Sequence, residues 1–355
     1  MRILCNLRQS GRLACQSLRC LLYWKNALVV LLLVLFGTAY LVQRWQTVTQ
    51  MRFLLQYDFA EAAPETGVRL SGDAHVGHLR CPQSVGSLQR YSQWFRQRYI
   101  PNIKLFLDQQ DKQEDLVHYE LPFGLKGENL TFLRTVVNHI GSNYSRLHMH
   151  SSRDCISCAV VGSGGILNGS GAGQEIDAHD VVFRLNAALN DGQYLEDVGS
   201  KTDFYTFFPE SAHLRNVRNK NAMFLFTMYK SFDIRYIAEM LHLASLSRPP
   251  RLDPAKLKII HPDFFRYVFT QFLDAKAMKP TTGAMVVFLA LHLCDQVTAY
   301  GFGYDPRFTM HYYDRAFSPR TYRSTWTHDV ENERRLWDRL HYEGALRFFR
   351  RDVGV

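Results

Sequence analysis

The stretch Cys158-Ala-Val-Val-Gly-Ser-Gly-Gly-Ile-Leu-Asn-Gly-Ser170, continuing through Glu175-Ile-Asp-Ala-His-Asp-Val-Val-Phe-Arg-Leu-Asn186, decides the fold class. An apolar run, Ala159 to Val161, breaks at Gly162 into a glycine-rich loop, and a second run, Val181 to Leu185, ends at Asn186. Short apolar runs bounded by turn residues read as buried strands. A glycine loop between a strand and a helix start lets the backbone approach a phosphate or nucleotide. A dinucleotide fingerprint needs Gly-x-Gly-x-x-Gly. Gly162 and Gly164 fit that pattern, but Leu167 stands at its sixth position. By itself, the loop is either a nucleotide loop or a structural tight turn.

Outward from this stretch, candidate strands continue at Asp203 to Phe207, Ala222 to Met228, Lys258 to Ile260 and Gln296 to Tyr300. Candidate helices lie between and after them, at Ile234 to Leu243, Pro262 to Leu273, Gly283 to Leu293 and Glu331 to Glu343. Strands alternating with helices predict a mostly parallel sheet covered on both faces. Before Cys155 come amphipathic pieces such as Tyr91 to Tyr99 and Leu130 to Ile140. No repeat or low-complexity tract interrupts the chain.

The 355 residues, 46% hydrophobic and 21% charged, describe an ordinary globular chain rather than a disordered one. The net charge is +9, of which Arg2, Arg8, Arg12, Arg19 and Lys25 supply +5 with no acid before residue 43. The remaining +4 is too mild to argue for nucleic acid, yet it suits an anionic sugar nucleotide. Ala27 to Val42 carries no charge, and with Asn26 and Gln43 it is long enough for a thin secretory-pathway bilayer. A signal peptide is the rival, but its basic region would be unusually long and Gly37-Thr-Ala39 is a poor cleavage site. Basic residues ahead of the span predict a type II anchor with a cytoplasmic N-terminus. The expected organisation is a tail at 1–25, an anchor at 26–43, a stem at 44–80 and a catalytic domain at 81–355.

Cys5, Cys15 and Cys20 precede the span, whereas Cys81, Cys155, Cys158 and Cys294 follow it, an even set for an oxidising lumen. Four cysteines allow three pairings. Cys155-Ile-Ser-Cys158 has metal-ligand spacing, but zinc would need a second ligand pair. Asn129, Asn143 and Asn168 begin glycosylation sequons, with Asn168, inside the glycine loop, the poorest acceptor of the three.

Val-Val-Gly-x-Gly-Gly-Ile-Leu-x-Gly from Val160, then Ile-Asp-x-His-Asp-x-Val-x-Arg-Leu-Asn ending at Asn186, resembles the long motif of the animal sialyltransferases. Three further motifs follow in order. Pro280-Thr-Thr-Gly-Ala with Leu293-Cys-Asp-Gln-Val-Thr-Ala-Tyr-Gly-Phe302 resembles the short motif, His311-Tyr-Tyr313 the third, and His328-Asp-Val-Glu-Asn-Glu333 the very short one. The resemblance runs from about Cys81 to Arg351. It implies an α/β fold, a single Rossmann-like nucleotide-binding domain preceded by a transmembrane helix and stem, in the Golgi membrane with the catalytic domain luminal. It implies CMP-sialic acid as donor and a disulfide from Cys158 to Cys294, which leaves Cys155 for Cys81.

Inverting sialyl transfer needs a base for the acceptor hydroxyl and a partner for the departing phosphate. The resemblance implies His328 as the base and His311 as the phosphate contact. The residue-level rival for His328 is a cap on the helix that begins near Glu331. Glu333 lies five residues from His328, so the two need a bend between them to meet; an exposed first-turn acid is its rival reading. Thr281, Thr282 and Gly283 open a helix, whose N-terminus is an anion site. Gly162, Ser163, Gly164, Asn186 and Gly303 are implied donor contacts. Ser163 departs from the commonest pattern, which has Asn, and its reach is shorter. No Asp-x-Asp occurs in the chain. A monophosphate leaving group asks less of a cation, so no metal and no cofactor is expected.

Cys81-Pro, Trp94-Phe-Arg with Ile100 to Asp108, Pro122-Phe-Gly124, His261-Pro-Asp-Phe264 and Leu336 to Gly344 resemble the N-acetylgalactosaminide α-2,6-sialyltransferases. That implies O-linked GalNAc on mucin-type glycoproteins as acceptor. Phe208-Pro-Glu-Ser211 and Gly301-Phe-Gly-Tyr-Asp305 look more like the α-2,3 enzymes that modify galactose. A membrane-anchored NAD oxidoreductase is the rival of another class. Leu167 and the two histidine motifs speak against it, and the presence of both histidines speaks against a dead glycan-binding relative.

Overall fold

The computed structural model describes residues 26–39, 81, 84–85, 91–140, 155–188, 190, 192–243, 252–303, 305–314 and 327–351. They fall into two units, one within Met1–Ala60 and one within Glu61–Val355. In the first, 26–39 is helical, with Leu31, Leu33 and Phe36 exposed. Among the described residues no helix is long and apolar enough to cross a membrane. Tyr40 to Gln43, the rest of the expected anchor, and the expected stem at 44–80 lie outside the described residues, as do Cys5, Cys15, Cys20 and Asn143.

The second unit is a mixed α/β sheet with helices. Its strands are β1 (Phe106–Leu107), β2 (Ser157–Val161), β3 (Val181–Leu185), β4 (Phe204–Phe207), β5 (Met223–Phe226), β6 (Leu257–Ile260), β7 (Gln296–Tyr300) and β8 (Arg347–Phe348). They lie in the order β1-β6-β5-β4-β3-β2-β7-β8. Every neighbouring pair is parallel except β1 with β6. Strands covered on both faces read as continuous apolar runs. Accordingly β3 and β4 bury every residue, and β2 all but Ser157. The expected strands are present with ends moved by up to two residues. The edge strands β1 and β8, two residues each, were not expected, because two residues carry no period to detect.

Helix α1 (Leu130–Ile140) buries Leu133, Val136, Val137 and Ile140, the spacing of one helical face. With α2 (Ser231–Met240) it shares a core with alternate residues of β4 and β6, namely Tyr205, Phe207, Leu257 and Ile259. Each such side chain contributes roughly 1.5–3 kcal/mol relative to exposure. Pro262 opens α3 (Pro262–Tyr267), which runs on as a π turn over Val268–Phe272. Helix α4 (Thr282–Leu293) is apolar all round, buries Thr282 through His292, and packs on β2, β3, β4 and β7. Helix α5 (Val330–Glu343) buries Glu333, Leu336, Trp337 and Leu340. Tyr91 to Tyr99, expected as a longer amphipathic piece, holds only the short helix Gln93–Arg96.

Disulfides join Cys81 to Cys155 and Cys158 to Cys294, the second tying β2 to the residue that ends α4. The chain runs from β2 through β6 on one side of β2, then returns to place β7 on the other. In open parallel sheets a crevice opens at such a reversal, beyond the carboxyl ends of the strands. Gly162, Asn186, Phe208 and Gly301 directly follow β2, β3, β4 and β7, so all four sit at that end.

Candidate active site

A cavity of about 210 Å³ opens there, walled by Gly162, Ser163, Asn186, Phe208, Tyr229, Lys279, Thr281, Thr282, Gly283, Phe302, Gly303, His328, Glu333 and Trp337, among others. Eight of the ten expected donor and catalytic residues thus share one cavity. Gly164 and His311 do not line it. A wider depression of about 610 Å³ lies along Gly171, Gly173, Asp177, Leu195 and Glu196. It holds no histidine, and Asp177 there is committed to the N–H groups of Ser200 and Lys201. The smaller cavity, where the titratable groups converge, is the candidate site.

The glycine loop is built by backbone contact across the β2–β7 reversal. Gly162 N–H donates to Tyr300 O at 2.8 Å and Gly164 N–H to Gly301 O at 2.9 Å. A Cβ on Gly162 would lie 2.8 Å from Gly301 O, and one on Gly164 2.6 Å from the same oxygen. These glycines therefore let two loops touch. Gly164 thus makes the loop–loop contact and does not line the cavity. Asn168, expected inside the nucleotide loop, is exposed beyond it, where its carbonyl accepts from Arg351 at 2.7 Å. Asn129 is exposed, and its side chain accepts from Phe132 N–H at the start of α1.

Asn186 leaves β3 with φ of 53°, a left-handed turn that Asn tolerates better than most residues. Tyr205 Oη donates to its carbonyl at 2.6 Å. Its Oδ1 is buried without a hydrogen-bond partner among the described residues. A buried acceptor of this kind is costly in an apolar site and useful facing a ligand that donates.

At the opposite wall Thr281 caps α4, its Oγ1 accepting from Ala284 N–H at 3.0 Å. Thr282 Oγ1 and Tyr229 Oη are 3.1 Å apart. Glu333 is buried and reaches both polar groups of Thr281, with Oε1 accepting its N–H at 2.9 Å and Oε2 its hydroxyl at 2.6 Å. Burial pushes the Glu333 carboxyl up to about 7, against the pull of the Thr281 hydrogen bonds. Glu333 is thus neither an exposed first-turn acid nor a partner that bends to meet His328. It fastens α5 to the cap of α4. The sequence did carry a signal: Glu333, Leu336, Trp337 and Leu340 share the i, i+3, i+4, i+7 stripe that α5 buries.

His328 precedes α5, whose cap is Asp329, its Oδ1 accepting from Asn332 N–H at 3.0 Å. The helix-cap reading thus belongs to Asp329. The ring of His328 sits with Nδ1 3.1 Å from Lys279 O. A carbonyl only accepts, so Nδ1 carries the proton and Nε2 the lone pair. Burial holds the imidazole below its ordinary pKa, opposed by that hydrogen bond. Burial thus favours the neutral imidazole, with its proton on the Nδ1 that faces Lys279 O in the cavity wall.

His311 approaches the glycine loop from the other side. It forms an isolated antiparallel bridge with Gly164, and Tyr312 N–H donates to Ser163 O at 3.0 Å. Its Nδ1 lies 2.5 Å from Asp314 Oδ2, and its ring stacks on Tyr313 at 5.1 Å. Tyr229 and Lys279 line the cavity from outside the motifs, whereas Phe302 and Trp337 belong to stretches quoted for the resemblance but were given no place in the site. Among the described residues no group of three or more His, Cys, Asp or Glu side chains could hold a metal ion.

Residues 106–345 match the model of glycosyltransferase family 29, the sialyltransferases. The chain is 36% identical over 323 residues to alpha-N-acetylgalactosaminide alpha-2,6-sialyltransferase 1 of Homo sapiens, covering 78% of this chain and 53% of that one. The Gallus gallus protein of the same name is 33% identical over 316 residues, 76% of this chain and 55% of that one. The chain thus spans about half the length of these relatives. The CMP-N-acetylneuraminate-beta-galactosamide-alpha-2,3-sialyltransferase 2 of Mus musculus is 35% identical over 206 residues, 56% of this chain and 58% of that one. A mammalian sialyltransferase crystal structure superposes with a TM-score of 0.60 at 27% identity, over 74% of this chain and 95% of that one. Sequence and fold agree, and the chain belongs to glycosyltransferase family 29, the sialyltransferases.

Proposed function

We propose that this protein transfers sialic acid from CMP-sialic acid, with inversion, to O-linked GalNAc of glycoproteins in α-2,6 linkage. The observation that carries the chemistry is His328 in the cavity wall with its Nδ1 proton held by Lys279 O. In this reading Nε2 takes the proton of the acceptor hydroxyl as that oxygen bonds to the anomeric carbon. The bond from that carbon to the phosphate oxygen breaks on the opposite face, and CMP leaves with the electron pair. The N–H groups at the start of α4 and the imidazole of His311 offset the charge that builds on the phosphate. Gly162, Ser163, Asn186 and Gly303 hold the nucleotide and sugar, and Gly164 with His311 shapes the loop that carries Ser163. Histidine and backbone donors suffice for a monophosphate leaving group, so the reaction runs without a metal.

The GalNAc acceptor is supported by relatives named for alpha-N-acetylgalactosaminide alpha-2,6 transfer, 33–36% identical over 76–78% of the chain, against 32% over 73% and 35% over 56% for two relatives named for alpha-2,3 transfer. Transfer to galactose is the second reading, favoured by Phe208, which belongs to an α-2,3-like stretch and lines the cavity. We further read the sheet as a Rossmann-like nucleotide-binding domain, its crevice lying where strand order reverses. The luminal side of the Golgi membrane suits an anchored chain with two disulfides, with Met1 to Lys25 cytoplasmic and 26–43 as the span. Linkage analysis of products made on a panel of mucin-type acceptors tests the assignment. Sialic acid at O6 of GalNAc is expected, and product only at O3 of galactose would replace it with the second reading.

A further inference from the structure

The two ends of Lys279 do different work. Its carbonyl holds Nδ1 of His328 at 3.1 Å, and its N–H donates to Thr327 O at 3.2 Å. One residue's backbone thereby steadies the segment bearing the histidine. Its side chain lines the same cavity, with Nζ 3.9 Å from the centre of the Tyr229 ring. Tyr229 is itself fixed by its hydroxyl to Thr282. The ammonium is half-buried. Among the described residues it makes no ion pair and no hydrogen bond, its one contact being the aromatic face. The charged groups whose fields it feels are Asp233 and Lys230. Asp233 gives one oxygen to the N–H groups of Tyr229 and Lys230, and Lys230 pairs with Glu210. A lysine ammonium offers three donors, and none of them meets an acceptor among the described residues. An aromatic face fixes where such a cation sits without supplying a hydrogen bond.

The donor in the proposed reaction carries two anionic groups, a phosphate and a carboxylate, and the carboxylate is attached to the reacting carbon itself. Past the cap, the N–H groups of Thr282 and Gly283 open α4 and are donors suited to the phosphate, that of Thr281 being held by Glu333. A base that reaches the acceptor hydroxyl must lie near the reacting carbon, and the residue that holds the base carries the unused ammonium. We propose that Lys279 recognises the carboxylate on the reacting carbon of the donor sugar, so that one residue positions both the sugar and the proposed base.

This inference rests on the sialyl-transfer reading and deepens it. The test uses the full chain, with CMP-sialic acid as substrate and CMP alone as a competing ligand that lacks the carboxylate. Lys279→Met should raise the donor KM by about 10-fold or more, the scale of a lost charge-assisted hydrogen bond. The inhibition constant of CMP should stay within about twofold, which also shows that the variant is folded. Lys279→Arg, which keeps the charge, should recover a large part of the donor KM. If CMP weakens as much as the donor, Lys279 reads the phosphate; if only the acceptor KM moves, it reads the acceptor. Either outcome overturns the proposal, as does an unchanged donor KM in Lys279→Met. If the Met variant binds no CMP, Lys279→Gln carries the same comparison. A wild-type chain that turns over no CMP-sialic acid would instead sink the functional reading on which this one stands.

Discussion

Glu333 receives both polar groups of Thr281, its N–H at 2.9 Å and its hydroxyl at 2.6 Å, so the final long helix is fastened to the cap of the central one. The very short motif, in this structure, is two residues with separate tasks. His328 faces the cavity, and Glu333 fixes the wall on which Thr281 and Thr282 stand.

That bond has a pH signature. The Glu333 carboxyl titrates near 7 in the folded protein because it is buried, against an ordinary value of 4.5. Between those values the folded state holds a proton that the unfolded state has released, so stability falls as pH rises from about 4.5 to about 7. Denaturant unfolding of wild type and Glu333→Gln across that window measures the difference. The wild type should lose stability relative to Glu333→Gln as pH rises. Parallel curves would show that Glu333 is not a buried carboxyl. Independently, Glu333→Ala should cost roughly 2–4 kcal/mol, since it leaves Thr281 without its acceptor and opens a gap beside Trp337.

The Cys158–Cys294 bridge closes a separation of 136 residues. In the chain-entropy model its removal costs about 5 kcal/mol, enough to unfold an ordinary domain. Replacing both cysteines by serine should abolish secretion of folded protein. Peptide mapping without reductant should recover the Cys158–Cys294 pair, and free thiols at those positions would contradict the pairing.

His311 is predicted to act on the leaving group rather than on the acceptor. Its ring is set by Asp314 Oδ2 at 2.5 Å and by stacking on Tyr313. His311→Ala should lower turnover and also weaken CMP binding, whereas loss of the base should leave CMP binding nearly intact. Titrating CMP against both variants separates the two roles. Unchanged CMP affinity in His311→Ala would remove His311 from the phosphate.

Much of this was legible in the sequence where a pattern repeats. The continuous apolar runs of β2 and β3 and the all-round apolar α4 announce a buried parallel sheet, and four spaced motifs bring their residues to one end of it. What escaped has no local pattern. Lys279 and Tyr229 reach the cavity through long-range packing, and edge strands of two residues have no period. A glycine that admits a phosphate and one that admits another loop look alike in sequence. The loop contact of Gly162 and Gly164 shows only in the structure, where a Cβ on either would lie 2.8 or 2.6 Å from Gly301 O. Glu333 was misplaced for the opposite reason, since its place on the apolar stripe of α5 was visible but its charge argued for the surface.

If His328 is the base of the proposed sialyl transfer, turnover of His328→Ala at saturating CMP-sialic acid and acceptor must show it. Turnover should fall by roughly 100-fold or more with little change in CMP affinity, the scale of a lost general base. Because burial holds the imidazole below its ordinary value of 6.5, the acid limb of the wild-type kcat profile should lie below pH 6.5. Near-normal turnover in His328→Ala would remove His328 from the chemistry and leave it a structural histidine bonded to Lys279.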